Sequence, residues 1–306
     1  MIVQIYEIQD AYQAEKCVEA GVDHIGSVLP VEGPRRLESI RDVSRLLEGT
    51  ELKHSVIPLF SILDEVCRAL DFYRPAFVHF CDELAGEDGK MFDAGRFLEF
   101  QAAVRDKFPE IGIMRTIPVP EPDGPKLDSA ETARKFQDLS DVILVDTWIQ
   151  KPSVAGFIGI TGKTADRTIS RGVVEAVDIP VIQAGGLGAD NVYETAVEVA
   201  PAGVDSCTGT NITGEDGSPV RFQKDFQKVK AFVLEVRRAG VELQDRLQKE
   251  KERLSSVRSE LEELENALPA HSVKPSHMLR IEELEEEVVV LESLVTVLGR
   301  AAARSL

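Results

Sequence analysis

Short apolar runs recur along roughly the first 235 residues, separated by stretches whose apolar positions repeat every three or four residues. A short apolar run bounded by turn residues is typical of a buried strand, whereas a three-to-four repeat is typical of an amphipathic helix. The pattern therefore predicts strands at residues 3–8, 24–29, 55–60, 77–80, 112–117, 142–145, 180–184 and 204–207.

Regular alternation of strands and helices predicts parallel βαβ units, and eight such units predict a closed (β/α)8 TIM barrel of the α/β class. A doubly wound open sheet is the alternative. It would normally carry a glycine-rich phosphate loop after its first strand. Here Gln9 and Asp10 follow the first strand without a glycine, so the barrel is favoured.

The pattern changes near residue 240. Leucine, isoleucine and valine then recur at spacings of three, four or, once, seven residues in two stretches, 247–268 and 281–298. Pro269 and Pro275 bracket a polar turn between them. Two heptad seams joined by a short turn predict a C-terminal antiparallel α-helical hairpin.

We therefore predict two domains, a barrel over residues 1–238 and a helical hairpin over residues 239–306. In the run 288–298, apolar residues occupy more of the helix surface than the single stripe that a partner helix would cover. One partner helix cannot cover such a surface, so the hairpin should pack on the barrel or on a second subunit. We expect a homo-oligomer held through residues 241–306.

Charge and composition narrow the classes of partner. A net charge of −18 over 306 residues disfavours nucleic-acid and anionic-membrane binding. No apolar run approaches the ~18 residues of a membrane span, and the first ten residues lack a basic segment, so we expect a cytoplasmic protein. The four cysteines lie far apart and the histidines lack metal-ligand spacing, which disfavours disulfides and structural zinc.

Two successive predicted strands end in glycine-bearing turns, one at Gly185-Gly186 and the next at Thr208-Gly209. Glycine lets a backbone approach a ligand closely, and a following helix N-terminus favours an anion. The loops after the last two strands of a TIM barrel are a common phosphate site. We expect the substrate to be a phosphorylated small molecule.

Six segments, in order and at compatible spacing, resemble the phosphoribosylanthranilate isomerase family over about residues 1–235: DAYQAEKCVEAGVDHIGSVL, GPRRL, VILVDT, GITGKTADRTIS, IPVIQAGGLGADNV and VDSCTGTN. The resemblance implies a single-barrel enzyme of tryptophan biosynthesis that uses neither metal nor organic cofactor. It places Asp146 on the family's catalytic aspartate and Arg35 on its substrate-binding arginine. It also aligns Asp205 with a site residue and implies a phosphate site of Gly162, Gly185, Gly186, Thr208 and Gly209.

The chain departs from the family where the chemistry is done. The family opens with K-I-C-G-I-T, whose cysteine is the general base, and the aligned residue here is Tyr6. Tyrosine has a reference pKa of about 10 against about 8.5 for cysteine, so Tyr6 is a poor base without a cationic neighbour. Glu7 could replace it chemically, although strand alternation turns Glu7 toward the helices unless the strand has already ended.

The family reaction is an Amadori rearrangement, in which an acid protonates the ribose ring oxygen and a base removes a proton from the second sugar carbon. As the acid, Asp146 would need a raised pKa. Arg115, inside a strand, should either pair with a carboxylate or bind the substrate, because an unpaired arginine is rarely buried. His79 could contact the substrate but is more often a satisfied core residue.

The leading interpretation is an isomerase of a phosphoribosyl-amine, with Asp146, Tyr6 and Glu7 as the candidate catalytic residues. One alternative is a diverged barrel that acts on another sugar phosphate. The other alternative is a noncatalytic scaffold that assembles through its helical hairpin. Loss of the family's base alongside retention of the phosphate glycines keeps both alternatives open.

Overall fold

The computed structural model describes residues 1–268 and 275–303. Eight parallel strands form a closed barrel in which each strand pairs with the next and the last pairs with the first. This confirms the predicted TIM barrel and all eight of its strands. The strands are β1 Ile2–Ile5, β2 His24–Leu29, β3 Lys53–Pro58, β4 Phe77–Phe80, β5 Gly112–Pro120, β6 Val142–Trp148, β7 Val181–Gln183 and β8 Gly203–Ser206.

A helix follows each barrel strand and packs on the outside of the barrel. The Asp10 carboxylate begins the first helix by accepting from the Gln13 N–H at 2.8 Å, and Gly21 ends it in a left-handed conformation. The helices are α1 Ala11–Ala20, α2 Glu38–Leu47, α3 Leu63–Tyr73, α4 Gly95–Lys107, α5 Ser129–Gln137, α6 Arg167–Ala176, α7 Val192–Val199 and α8 Phe226–Asn266.

Strand alternation divides the barrel residues into two sets. Gln4 on β1 contacts Met114 on β5, across the barrel, and Asp205 on the adjacent β8, so its side chain points inward. Tyr6 lies two residues later and Thr116 two residues after Met114, which places both on the same inward side. The intervening apolar side chains, such as Val3 and Ile5, pack against the helices instead.

A β-hairpin that the sequence analysis did not predict is inserted between β8 and α8. It consists of β9 Asn211–Thr213 and β10 Pro219–Lys224, which are antiparallel. A short 3-10 helix, Thr208–Thr210, leads into it. Because this insertion follows β8, it lies at the end of the barrel where the strands terminate.

The predicted helical hairpin is confirmed, but its first helix starts earlier than expected. Helix α8 runs unbroken from Phe226 to Asn266, and α9 Pro275–Ala302 packs back along it. The predicted domain boundary at 238/239 therefore lies inside one continuous helix. Pro269, which was predicted to open the turn, lies outside the described residues.

The two helices of the hairpin meet through the predicted seam, in which Leu254, Val257, Leu284 and Leu291 are buried. The end of α9 packs on the barrel, where its apolar side chains join the main core. Leu298 is fully buried, and Arg300 donates to the carbonyl of Val177 just after α6. No helix among the described residues is long and apolar enough to cross a membrane.

Candidate active site

The carboxyl ends of the barrel strands surround a cavity with a polar floor and one apolar wall. Its polar side chains come from six separate segments of the chain, five of them in or directly after barrel strands. They belong to Tyr6, Glu7, His79, Thr116, Asp146, Asp205 and Arg221. The apolar wall is formed mainly by Val28, Ile57, Leu59, Val154 and Phe157.

Asp146 stands on β6 at the edge of this cavity. One of its carboxylate oxygens accepts from the Thr147 N–H at 2.7 Å. Its other oxygen faces Gly159, where a Cβ would lie only 2.8 Å away, so a larger residue at Gly159 would displace the carboxylate. Burial raises the pKa of Asp146 to about 6, although the hydrogen bond from the Thr147 N–H acts to lower it. A protonated fraction therefore exists near neutral pH, as a general acid requires.

Asp205 on β8 is the second buried carboxyl group of the cavity. It accepts from Gln4 Nε2 at 3.2 Å. Burial raises its pKa to about 8, and the negative charge of Asp146 adds to that shift. Two acids whose pKa values are pushed apart in one cavity are a recurrent arrangement for acid–base chemistry.

Tyr6 occupies the floor of the cavity in a chain of buried hydrogen bonds. Its hydroxyl is 2.6 Å from Ser55 Oγ and 2.7 Å from His79 Nδ1, while His79 Nε2 is 2.6 Å from Thr116 Oγ1. Burial lowers the pKa of His79 to about 3, so the imidazole is neutral. Burial also raises the pKa of Tyr6 well above 10. Tyr6 therefore keeps its proton and is a poor base.

Glu7 also reaches the cavity, because β1 ends at Ile5 and Glu7 adopts a left-handed backbone with φ 67°. Its buried carboxylate accepts from Asn211 Nδ2 at 2.7 Å, from Arg221 Nε and from the Phe222 N–H. Although burial opposes it, these donors lower the pKa of Glu7. Glu7 is thus ionised, and its lone pairs are already committed to the inserted β-hairpin.

Three of the glycines predicted to bind phosphate lie beside the two carboxyl groups. Gly162, Gly185, Gly186 and Thr208 line a smaller cavity that shares Asp146 and Asp205 with the larger one. Gly209 packs behind it, where a Cβ would lie 2.2 Å from the Leu187 carbonyl oxygen. Within the described part of the chain, the N–H groups of Gly162, Gly185 and Gly186 donate no hydrogen bond. Unpaired, converging N–H groups are suited to an anion.

Two predicted substrate-binding arginines lie outside both cavities. Arg35 is held by Glu65 at 3.2 Å and by the carbonyls of Pro30 and Val31, with its guanidinium stacked on Phe60. Its position on the family's substrate-binding arginine thus receives no support from this geometry.

Arg115 points away from the barrel interior, because its neighbours on β5 point inward. Its guanidinium pairs with Asp82 at 2.9 Å, and its Nε–H donates to Gln101 Oε1 at 3.1 Å. The side chain is fully buried among Phe80, Phe97 and Phe136. Of the two roles considered for Arg115, the carboxylate pair is the one that the structure contains.

Sequence reasoning missed several cavity or mouth residues, among them Cys81, Arg221 and Lys224. Arg221 and Lys224 belong to a polar, turn-rich segment, which carries no signal that it folds back over the barrel. Buried Lys224 donates to the Cys207 carbonyl at 2.7 Å and to Asn211 Oδ1 at 2.6 Å, which fastens the β-hairpin to the end of β8. Cys81 directly follows the predicted strand 77–80, and that position at a strand end is the signal that could have indicated it.

Known proteins resemble the chain both in sequence and in fold. The chain is 32% identical to N-(5'-phosphoribosyl)anthranilate isomerase of Haloferax volcanii over 76% of its own length and 90% of that protein. The chain belongs to the phosphoribosylanthranilate isomerase family. The enzyme of the same name from Methanosarcina acetivorans is 29% identical over 77% of this chain and 92% of its own. No family model matches the chain.

Solved structures of this family share the fold. The Pyrococcus furiosus isomerase superposes with a TM-score of 0.54 at 21% identity, covering 77% of this chain and 98% of that one. A monomeric form of the dimeric Thermotoga maritima isomerase gives 0.53 at 19% identity, covering 77% and 98%. At these identities the likeness concerns the barrel alone.

Proposed function

We propose that the protein isomerises N-(5'-phosphoribosyl)anthranilate, or a close phosphoribosyl-amine, in tryptophan biosynthesis. One observation carries the proposal: Asp146 and Asp205, both with raised pKa values, lie where the glycine-lined cavity meets the larger cavity. A substrate with its phosphate on the glycines would place its sugar against the two carboxyl groups. Its aromatic amine would then reach the apolar wall.

In this proposal Asp146 protonates the ribose ring oxygen, which opens the ring and leaves a cationic imine. Removal of the proton from the second sugar carbon yields an enolamine that tautomerises to the ketose. The overall reaction moves protons and changes no oxidation state of the molecule as a whole. No metal or organic cofactor is assigned to it, and this remains a prediction.

The base for the second step is the part that the family alignment does not supply. Tyr6 is neutral, and the Glu7 carboxylate is committed to three donors. We assign the step to Asp205 in its ionised form, because a carboxylate with a pKa of about 8 holds a proton more strongly than an ordinary aspartate. The productive form has the proton on Asp146 and the charge on Asp205. Because the pKa of Asp205 is the higher of the two, this is the minor of the two singly protonated forms.

The decisive experiment has two parts. The gene should restore growth without tryptophan to a host lacking the isomerase, and the purified protein should convert the substrate in a fluorescence assay. A homologue with the family cysteine serves as the positive control, and Asp146→Asn as the negative one. Failure of the parent in both parts, with the positive control working, would reject the proposed activity.

A second candidate is isomerisation of another sugar phosphate, and Tyr6 is the observation that favours it. The Tyr6 ring occupies the space beside Gly26, where a Cβ would lie 2.2 Å from the ring. A cysteine would leave that space to the substrate. Turnover of a smaller ribose phosphate, with none of the anthranilate compound, would favour this second candidate.

For assembly, we propose a homo-oligomer through residues 241–306, which is consistent with a dimeric isomerase in Thermotoga maritima. Most seam residues pack within the hairpin or on the barrel, but Val289 and Val290 remain 66% and 65% exposed. Val290→Glu should lower the sedimenting mass to that of a monomer, whereas Leu234→Glu, on α8 before this region, should not. A parent that sediments as a monomer at micromolar concentration would reject this proposal.

A further inference from the structure

The larger cavity is strongly acidic, which is a problem for an anionic substrate. Glu7, Asp146 and Asp205 all line it. Within the described ranges, Arg221 is the single lysine or arginine among the lining residues. A ligand carboxylate entering beside these groups needs a cation to offset repulsion by those that are ionised. Arg221 is the residue in place to provide it.

The guanidinium of Arg221 is hydrogen-bonded through its Nε, and the described residues leave its two terminal nitrogens free to bind a ligand. Its Nε–H donates to Glu7, and the group lies 4.9 Å from the Phe222 ring. Neither terminal nitrogen donates a hydrogen bond to another described residue. The side chain is 36% exposed, so these nitrogens are available to a ligand. Two parallel N–H groups fit a carboxylate in a bidentate pair.

Glu7 explains why this arginine has a defined position although it comes from a two-stranded insertion. Its buried carboxylate, reached only because the backbone turns left-handed, accepts from Asn211 and Phe222 as well as from Arg221. These contacts tie both strands of the β-hairpin to the end of β1. Glu7 is therefore a positioning residue for Arg221.

The surroundings of Arg221 match a carboxylate carried on an aromatic ring. Val28, Leu59 and Phe157 form the apolar wall of the same cavity, and the glycine-lined cavity lies beyond Asp146 and Asp205. Arg35, the alternative from family alignment, has its guanidinium already engaged by Glu65 and two backbone carbonyls. Building on the proposed function, we propose that Arg221 binds the substrate's aromatic carboxylate and so determines specificity for an ortho-carboxylated amine.

Calorimetric binding tests this without requiring turnover. The probes are the reduced product analogue 1-(o-carboxyphenylamino)-1-deoxyribulose 5-phosphate and the same compound without its carboxylate. Arg221→Gln should weaken binding of the carboxylated probe by roughly tenfold to 100-fold, the range expected for a lost charge-assisted pair. It should weaken binding of the other probe by less than about threefold. Arg221→Lys should fall between Gln and the parent, since it keeps the charge but loses the planar fork.

Arg171→Gln is the matched control, because Arg171 also pairs with one glutamate through its Nε, at 2.7 Å, on the outer side of α6. It should bind both probes like the parent. Equal weakening of both probes by Arg221→Gln would overturn the inference, as would a carboxylate-selective loss in Arg35→Gln instead. A parent that does not distinguish the two probes would also overturn it.

The same data separate this inference from the proposed function. A parent that binds the carboxylated probe through Arg221 but never turns over the substrate would retain the inference and reject the isomerase activity. A parent that turns over the substrate, with no carboxylate-selective loss of binding in Arg221→Gln, would support the isomerase activity and reject the role of Arg221.

Discussion

The two ends of the active-site cavity are built from different materials. The end proposed to bind phosphate presents backbone groups: Gly162, Gly185 and Gly186 have positive φ angles and N–H groups that the described residues leave unpaired. The larger cavity is lined by side chains. Tyr6 occupies the position that aligns with the family's cysteine, and Arg221 comes from the inserted β-hairpin. A backbone cradle depends on glycines at fixed places. A side-chain end can exchange its residues while the barrel persists.

The largest expected effect is at the junction of the two ends. Asp146→Asn should lower kcat by roughly 10²–10⁴-fold, the usual contribution of a general acid, because an amide has no proton to give. The amide oxygen can still accept from Thr147, so inorganic phosphate should bind within about twofold of the parent by calorimetry. A kcat within tenfold of the parent would show that Asp146 is not the acid.

At the phosphate end, Gly185→Ala should reduce the affinity for inorganic phosphate by about tenfold or more, since strain at a positive φ costs about 1–3 kcal/mol. Gly185 has φ 92°, and its new Cβ would lie 2.3 Å from Thr147 Oγ1. Gly49→Ala, at φ 75° with nothing within 4 Å, is a control for strain alone. If Gly49→Ala lost phosphate affinity equally, or Gly185→Ala lost none, the cradle would not be the phosphate site.

Asp205 links the cavity to stability. Its folded pKa of about 8 exceeds the unfolded value of about 3.9, so its contribution is fully present below pH 4 and is lost as the pH rises through 8. The parent should thus lose on the order of a few kcal/mol of unfolding free energy between pH 5 and pH 9 that Asp205→Asn does not lose. Urea unfolding at several pH values measures this.

The control for this comparison is Asp106→Asn, which changes an exposed aspartate of α4. Its unfolding free energy should follow the parent at every pH. Parallel curves for the parent and Asp205→Asn would mean that Asp205 titrates as an ordinary carboxyl group. That result would also remove it as the base of the proposed reaction.

The smallest effect is expected at Tyr6. Tyr6→Cys should leave kcat/KM unchanged or raise it, because the thiol has the lower reference pKa, about 8.5 against about 10. Tyr6→Phe keeps the ring but loses the hydroxyl bonds to Ser55 and His79, and it should retain activity within a few-fold. Abolished activity in Tyr6→Phe, with the variant still folded, would show that the hydroxyl takes part in the chemistry.

Local pattern was enough for the architecture. Each barrel strand is a short apolar run, and glycines mark the turns after β7 and β8. The strands and these two turns were therefore predictable. The direction of the Glu7 side chain was left open, because it depends on β1 ending at Ile5 and on a left-handed backbone at a non-glycine residue. The boundary between barrel and hairpin was predicted inside α8, since a heptad seam and the face of a barrel helix both repeat at three and four residues.

The sequence by itself determined the barrel, the helical hairpin and the place of the phosphate glycines, because each depends on periodicity or on a residue type at a fixed local position. Only the tertiary structure decided which charged groups meet. Arg115 and Thr116 are neighbours in the chain, yet pleating sends one to the helices and the other into the barrel. Arg221 and Glu7 are 214 residues apart and pair directly. Such long-range pairs arise from the closure of the barrel, and no local pattern encodes them.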